Sequence, residues 1–172
     1  MVRGRRNPLY FGLPVRLKTA RQNLSFDSVA LASGLTDGST VLHLERKRGH
    51  VPRLDTVERI AYALGLSPAF LAYGVESDGS QPTEGLRCEG VASRLRQTRA
   101  ARGLTMRALA RAAGLTDTAV RSTEAGTSMP SIATVEAFAT ALSVSPAWLG
   151  YGIGPMALPE RRRVAATPAP SP

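Results

Sequence analysis

Cations are the side chains in this sequence with the most chemistry to offer. Arg46, Lys47 and Arg48 run together, His50 and Arg53 follow them, and Arg3, Arg5 and Arg6 crowd the N-terminus. A second series comprises Arg94, Arg96, Arg102, Arg107 and Arg111. Guanidinium groups fork onto phosphate oxygens, and each phosphate neutralised releases a counterion, so such series suit a polyanion. The balance of the 172-residue chain agrees, with 22 Lys plus Arg against 13 Asp plus Glu and a net charge of +9. Residues 1–80 hold 11 basic and 7 acidic residues and the remainder 11 and 6, so both halves attract negative charge.

Groups for other chemistry are scarce. There are two histidines, His43 and His50, and one cysteine, Cys88. No glycine-rich loop ends in Lys, and neither a GxSxG elbow nor an HExxH pair occurs. The expectation is therefore no catalysis, no cofactor and no metal. A single thiol excludes an intramolecular disulfide, and Cys88 reads as a passive linker residue. No apolar run approaches the ~18–20 residues of a membrane span, and the basic N-terminus lacks a signal-peptide core. A cytoplasmic protein without a membrane partner is expected.

The elements that position these cations occur twice. PRLDTVERIAYALGLSPAFLAYG at 52–74 lies over PSIATVEAFATALSVSPAWLGYG at 130–152 with 13 identities in 23. LSFDSVALASGLTD at 24–37 lies over LTMRALARAAGLTD at 104–117 with 7 in 14, and Arg16, Leu17 and Arg21 lie over Arg94, Leu95 and Arg99. Residues 75–90, rich in Gly, Ser, Pro and acid, read as a flexible linker. Residues 1–13 read as a basic arm and 153–172 as a disordered tail. Within 14–74 and 91–152 the apolar residues recur at helical spacing, predicting about five short helices per copy and no strand. Thr105, Thr116, Ser131, Ser67 and Ser145 stand where N-caps belong, and Gly114 and Gly126 where helices end.

The informative stretch is LTMRALARAAGLTDTAVRSTEAGTSMPSI at 104–132. Ala110 lets two helices cross closely, Gly114 supplies a positive φ for the turn between them, and Val120 buries the inner face of the second helix. Its outer face is left to Thr116, Asp117, Thr118, Arg121 and Ser122. In the first copy, aligned on Val41, the outward residues are Ser39, Thr40, Leu42 and His43.

With Ala110, Gly114, Val120, Glu124, Gly126 and Pro130 in order, and TVE and SPAWL downstream, the sequence resembles the phage Cro and repressor type of helix-turn-helix domain, the XRE type, over 14–74 and again over 91–152. The resemblance implies an all-α fold of two tandem five-helix lambda-repressor-like domains joined by a flexible linker. It implies a sequence-specific, repressor-like transcriptional regulator of bacterial or phage type. Double-stranded DNA would be its partner, as a homodimer or a single-chain pseudo-dimer, in the cytoplasm and associated with the nucleoid. The base-reading candidates are Ser39, Thr40, His43, Asp117, Thr118, Arg121 and Ser122, with Gly38 also at a family reading position.

Phosphate candidates are Arg3, Arg5, Arg6, Arg46, Lys47, Arg48, His50, Arg53, Arg94, Arg96 and Arg107. Arg21 with Glu45, and Arg99 with Glu124, occupy positions where the family forms structural ion pairs. Phe26 and Met106 replace a customary Gln and are expected to pack, while Gly38 lengthens the first copy's turn by one residue. The rival expectation is an adaptor or dimerisation module, with Leu42, Met106 and Met129 as its exposed apolar surface.

Overall fold

A computed structural model describes residues 8–46, 50–76 and 85–157. Among them helices joined by short turns and loops are the regular structure, with two isolated β-bridges besides. The first half contains α1 (Leu13–Arg21), α2 (Phe26–Ala32), α3 (Ser39–Arg46), α4 (Leu54–Ala63) and α5 (Pro68–Tyr73). The second contains α6 (Val91–Ala101), α7 (Met106–Ala113), α8 (Asp117–Glu124), α9 (Ile132–Leu142) and α10 (Pro146–Tyr151). No helix among the described residues is long and apolar enough to cross a membrane.

Local chemistry sets the helix starts. The hydroxyls of Ser25, Thr105, Thr116, Ser131 and Ser145 accept the N–H three residues on, satisfying one of the donors a helix leaves open. Ser67 does not cap α5, and its buried hydroxyl has no partner. Pro68 and Pro146 occupy the first turns of α5 and α10, where a missing N–H costs nothing.

Three expected boundaries shift. Residues 153–157, assigned to the disordered tail, pack on the domain, with Ile153 buried and Ser145 N–H donating to Met156 O at 2.9 Å beside a Val144–Ala157 bridge. Leu9–Gly12, assigned to the arm, and Arg87–Gly90, assigned to the linker, are 3₁₀ turns leading directly into α1 and α6. Both are held by a carboxylate from the other half. Glu136 accepts the Leu9 and Tyr10 N–H groups at 2.8 and 3.2 Å. Glu58 accepts those of Arg87 and Cys88 at 2.7 and 2.9 Å. Cys88 is consequently no linker residue but is wholly buried.

The halves meet along one continuous apolar core. Leu54 N–H donates to Pro130 O and Ile132 N–H to Pro52 O, both at 3.0 Å, on either side of an antiparallel bridge between Arg53 and Ser131. The Tyr73 hydroxyl donates to Ile132 O at 3.0 Å and the Tyr151 hydroxyl to Leu54 O at 3.3 Å. Gly150 lies against Leu54, where an added Cβ would come within 3.2 Å of its Cδ2. Leu54, Ile132, Tyr73 and Tyr151 are each at most 2 % exposed. Each such side chain contributes about 1.5–3 kcal/mol by leaving water.

Several ionisable groups here keep their protons in the folded state. Burial, then hydrogen bonding to Glu58, pushes the Cys88 thiol and the Tyr62 phenol up, and burial raises Tyr73 and Tyr151. Above the ordinary thiol value of about 8.5 and the phenol value of about 10, the unfolded chain binds fewer protons than the native one, so stability falls as pH rises. The urea midpoint is expected to be level from about pH 6 to 8 and to decline above, with Cys88→Ala delaying the decline into the phenol range. An identical alkaline limb in Cys88→Ala would contradict the burial of this thiol.

Candidate nucleic-acid interface

In the second half, α7 and α8 are joined by a turn built on Gly114 at φ +67°, after which Leu115 N–H reaches back to Ala110 O at 2.8 Å. Ala110 and Leu109 are buried on α7, and Val120, Thr123 and Glu124 on α8. The outer face of α8 presents Asp117, Thr118 and Arg121, all exposed, with Ser122 half-buried. Its C-terminal end is pinned. Arg99 Nε and Nη2 grip the two Glu124 carboxylate oxygens at 2.6 and 2.8 Å, Arg99 Nη1 donates to Leu104 O at 2.8 Å, and Arg96 donates to Glu124 O. Hydrogen bonding to the carboxylate raises the Arg99 pKa further, so this cation never discharges.

The first half repeats that clamp with Arg21 Nε and Nη2 on Glu45 at 2.8 and 3.1 Å. Its turn is built differently. Asp27 accepts the Gly38 N–H at 2.9 Å and Asp37 that of Ser39 at 2.8 Å, hydrogen bonds from Ser39 lowering the Asp37 pKa. Gly38 is buried so tightly that a Cβ would lie 2.6 Å from Asp27 Oδ1 and 2.8 Å from the Asp27 nitrogen. The added residue is thus accommodated only because it is glycine. On α3, Val41 and Leu44 face inward, Ser39 and Arg46 are exposed, and Thr40, Leu42 and His43 are half-buried. The His43 and His50 rings lie 6.2 Å apart.

Among the phosphate candidates, Arg46, His50, Arg96 and Arg107 are exposed, as are Arg102 and Arg111. Arg53 is exposed, but its Nε donates across the junction to Met129 O at 3.2 Å. Arg94 is a correction. Its guanidinium donates to Leu149 O, Gly150 O and Arg87 O at 2.8, 2.7 and 3.0 Å, and burial lowers its pKa, so half-buried it closes the end of α10. Arg16 does the same for α5 through Leu71 O and Ala72 O at 2.9 and 2.6 Å. The repeat, which lays Arg16 over Arg94 and Gly12 over Gly90, carries the signal for this role. A Cβ at either glycine would meet the arginine Nη1 at 2.3 Å. Arg3, Arg5, Arg6, Lys47 and Arg48 lie outside the described residues.

The apolar expectations also shift. Phe26 is half-buried beneath the Arg21 and Arg46 guanidinium groups, 4.2 and 5.7 Å from its ring centre, whereas Met106 is 36 % exposed. Leu42 and Met129, expected at the surface, are half-buried, Met129 because it packs beside the junction.

A double-mutant cycle with Arg99→Met and Glu124→Gln, read from urea unfolding, is expected to give a coupling of about 1.5–3 kcal/mol, as for charge-assisted bonds shielded from water. A coupling below about 0.5 kcal/mol would class the pair as a solvated surface contact.

Residues 95–149 match the helix-turn-helix family HTH_3, a span running from α6 through the α7–α8 unit into α10. No curated protein sequence matches the chain. Among solved structures, the chain is similar to the N-terminal DNA binding domain of SinR from Bacillus subtilis, with 29 % identity over 36 % of this chain and 90 % of that one and a TM-score of 0.35. It is similar to the restriction-modification controller protein C.AhdI from Aeromonas hydrophila, with 33 % identity over 37 % and 94 % and a TM-score of 0.34. It is also similar to the clp gene regulator ClgR from C. glutamicum, with 30 % identity over 38 % and 86 % and a TM-score of 0.35. The family match, set beside the pinned α8 and the Gly114 turn, identifies residues 95–149 as an HTH_3 helix-turn-helix domain.

Proposed function

We propose that the chain is a non-catalytic, sequence-specific DNA-binding transcriptional regulator of repressor-like type, acting in the bacterial cytoplasm at the nucleoid. The observation that carries this reading is α8. Its inner face is buried and its end is clamped by Arg99 on Glu124, while Asp117, Thr118 and Arg121 stand exposed on its first turns. A helix held that way enters a major groove about 12 Å wide with side chains already aimed at base edges. Arg121 suits the paired acceptors of guanine, Thr118 accepts or donates, and Asp117 can accept from the cytosine amino group. Ser122, half-buried and donating weakly to Ala119 O, is the least presented of the four.

The phosphate set of this reading is Arg96, Arg102, Arg107 and Arg111 in the second half and Arg46, His50 and Arg53 in the first. Arg3, Arg5, Arg6, Lys47 and Arg48 belong to the same proposal. The first half is proposed to be a second helix-turn-helix domain of the same type, reading through Ser39, Thr40 and His43. The two heads a regulator of this kind needs then come from two chains or from the two halves of one.

One observation favours an additional protein-binding role for the first half. Phe11, Val15 and Leu31 are exposed at 51, 69 and 81 %, where the repeat gives the second half Glu89, Ser93 and Arg111.

The reading separates two kinds of variant. Arg121→Ala or Thr118→Ala is expected to weaken binding to a selected duplex by about 1–3 kcal/mol with the salt slope unchanged. Arg107→Ala or Arg111→Ala is expected to weaken all sequences alike and to lower the slope of log K against log salt by about 0.9 each. Fluorescence anisotropy on selected and random duplexes across salt concentrations measures both. Equal losses on both duplexes for Arg121→Ala would reduce α8 to a basic surface.

A further inference from the structure

We infer that one chain is a complete two-headed reader whose heads are unlike, so that a single copy occupies a non-palindromic duplex site made of two different half-sites. This deepens the DNA-binding reading above and rests on it.

The contacts between the halves have the form of a two-fold interface. Adding 78 to a residue number exchanges the halves, and the bonds then map onto one another. Leu54 N–H to Pro130 O becomes Ile132 N–H to Pro52 O, and Tyr73 on Ile132 O becomes Tyr151 on Leu54 O. Glu136 on the Leu9 turn becomes Glu58 on the Arg87 turn. Two contacts map onto themselves, the Arg53–Ser131 bridge and the Tyr73–Tyr151 ring pair at 6.4 Å, and these mark the axis.

An interface in which residue i meets j and j meets i is isologous, the arrangement that ordinarily joins two identical subunits and closes the assembly. Here both partners of that interface lie in one polypeptide. The groups that would recruit a second chain through it, the Tyr73 and Tyr151 hydroxyls and the Glu58 and Glu136 carboxylates, are already engaged. A two-fold between heads also sets them in inverted orientation on a duplex, with half-sites about one helical turn or a multiple of it apart.

The symmetry stops at the heads. The α8 head offers Asp117, Thr118 and Arg121, and α7 an exposed Arg107. Aligned on Val41 and Val120, the α3 head has Gly38, Ser39, Leu42 and His43 where the α8 head has Asp117, Thr118, Arg121 and Ser122, together with a turn one residue longer built on Gly38 and Asp27 where the repeat has Arg107. Two different donor and acceptor patterns read two different base sequences, so the inverted half-sites cannot match.

The test starts with selection of bound sequences from a random duplex library by the full chain at physiological salt. Mass photometry of the chain on the enriched duplex then gives the number of chains bound. The expected result is one chain per duplex and an enriched sequence with two unlike blocks. Arg121→Ala should lose roughly tenfold or more on duplexes retaining the first block and nothing further when that block is scrambled, with His43→Ala behaving likewise for the other. A palindrome bound by two chains, or one block bound by one chain, would overturn the inference and leave DNA recognition standing. No enriched sequence would overturn the DNA reading and this inference with it.

Discussion

Tyr73 and Tyr151 each send a phenol across the junction to a carbonyl at the start of the other half's fourth helix, and the remaining architecture follows from that exchange. Those carbonyls belong to Leu54 and Ile132, whose own N–H groups bond to Pro130 and Pro52. The same two helices supply Glu58 and Glu136, which close the open N–H groups of the turns entering α6 and α1. Each half thus completes the other's entry. A buried N–H or phenol left without a partner costs about 1–3 kcal/mol, so the halves hold one another in a single register.

Away from the junction the two halves share a chassis and differ in what it carries. Arg16 and Arg94 tie the first helix of each half to the end of its last, and Arg21–Glu45 and Arg99–Glu124 tie the third helix to the first. These half-buried cations serve structure, and of the exposed ones Arg53 and Arg96 also bond to backbone carbonyls, those of Met129 and Glu124. On the outer faces of α3 and α8 the repeat has diverged, with Ser39 and His43 on one and Thr118 and Ser122 on the other.

Much of this was legible in the sequence because periodicity, caps and the repeat all pointed to the same helices. The Gly114 turn, the Thr105, Thr116 and Ser131 caps and the outward face of α8 are local features, and local chemistry decides them. What was not legible depends on the other half. Cys88 and Leu9 look like linker and arm residues until Glu58 and Glu136, far away in sequence, bond to their segments. Arg94 carries the same charge as Arg96, and only the approach of α10 turns one into a half-buried clamp. Met106 and Leu42 could be exchanged between core and surface for the same reason: an apolar residue at a helix edge is sorted by its tertiary neighbours. The Gly38 insertion was visible, but that it packs onto Asp27 follows from the close approach of α2 and α3.

Held by these bonds, the two halves move as one body about the junction. Amide hydrogen exchange of the free full-length chain at Leu54 and Ile132 tests this directly, since both N–H groups bond only across it. Protection equal at the two sites and close to that of Leu17 and Leu95 in the cores is the result the account requires. Exchange at either site within minutes, while the core amides stay protected, would mean that the halves part in solution and would contradict it.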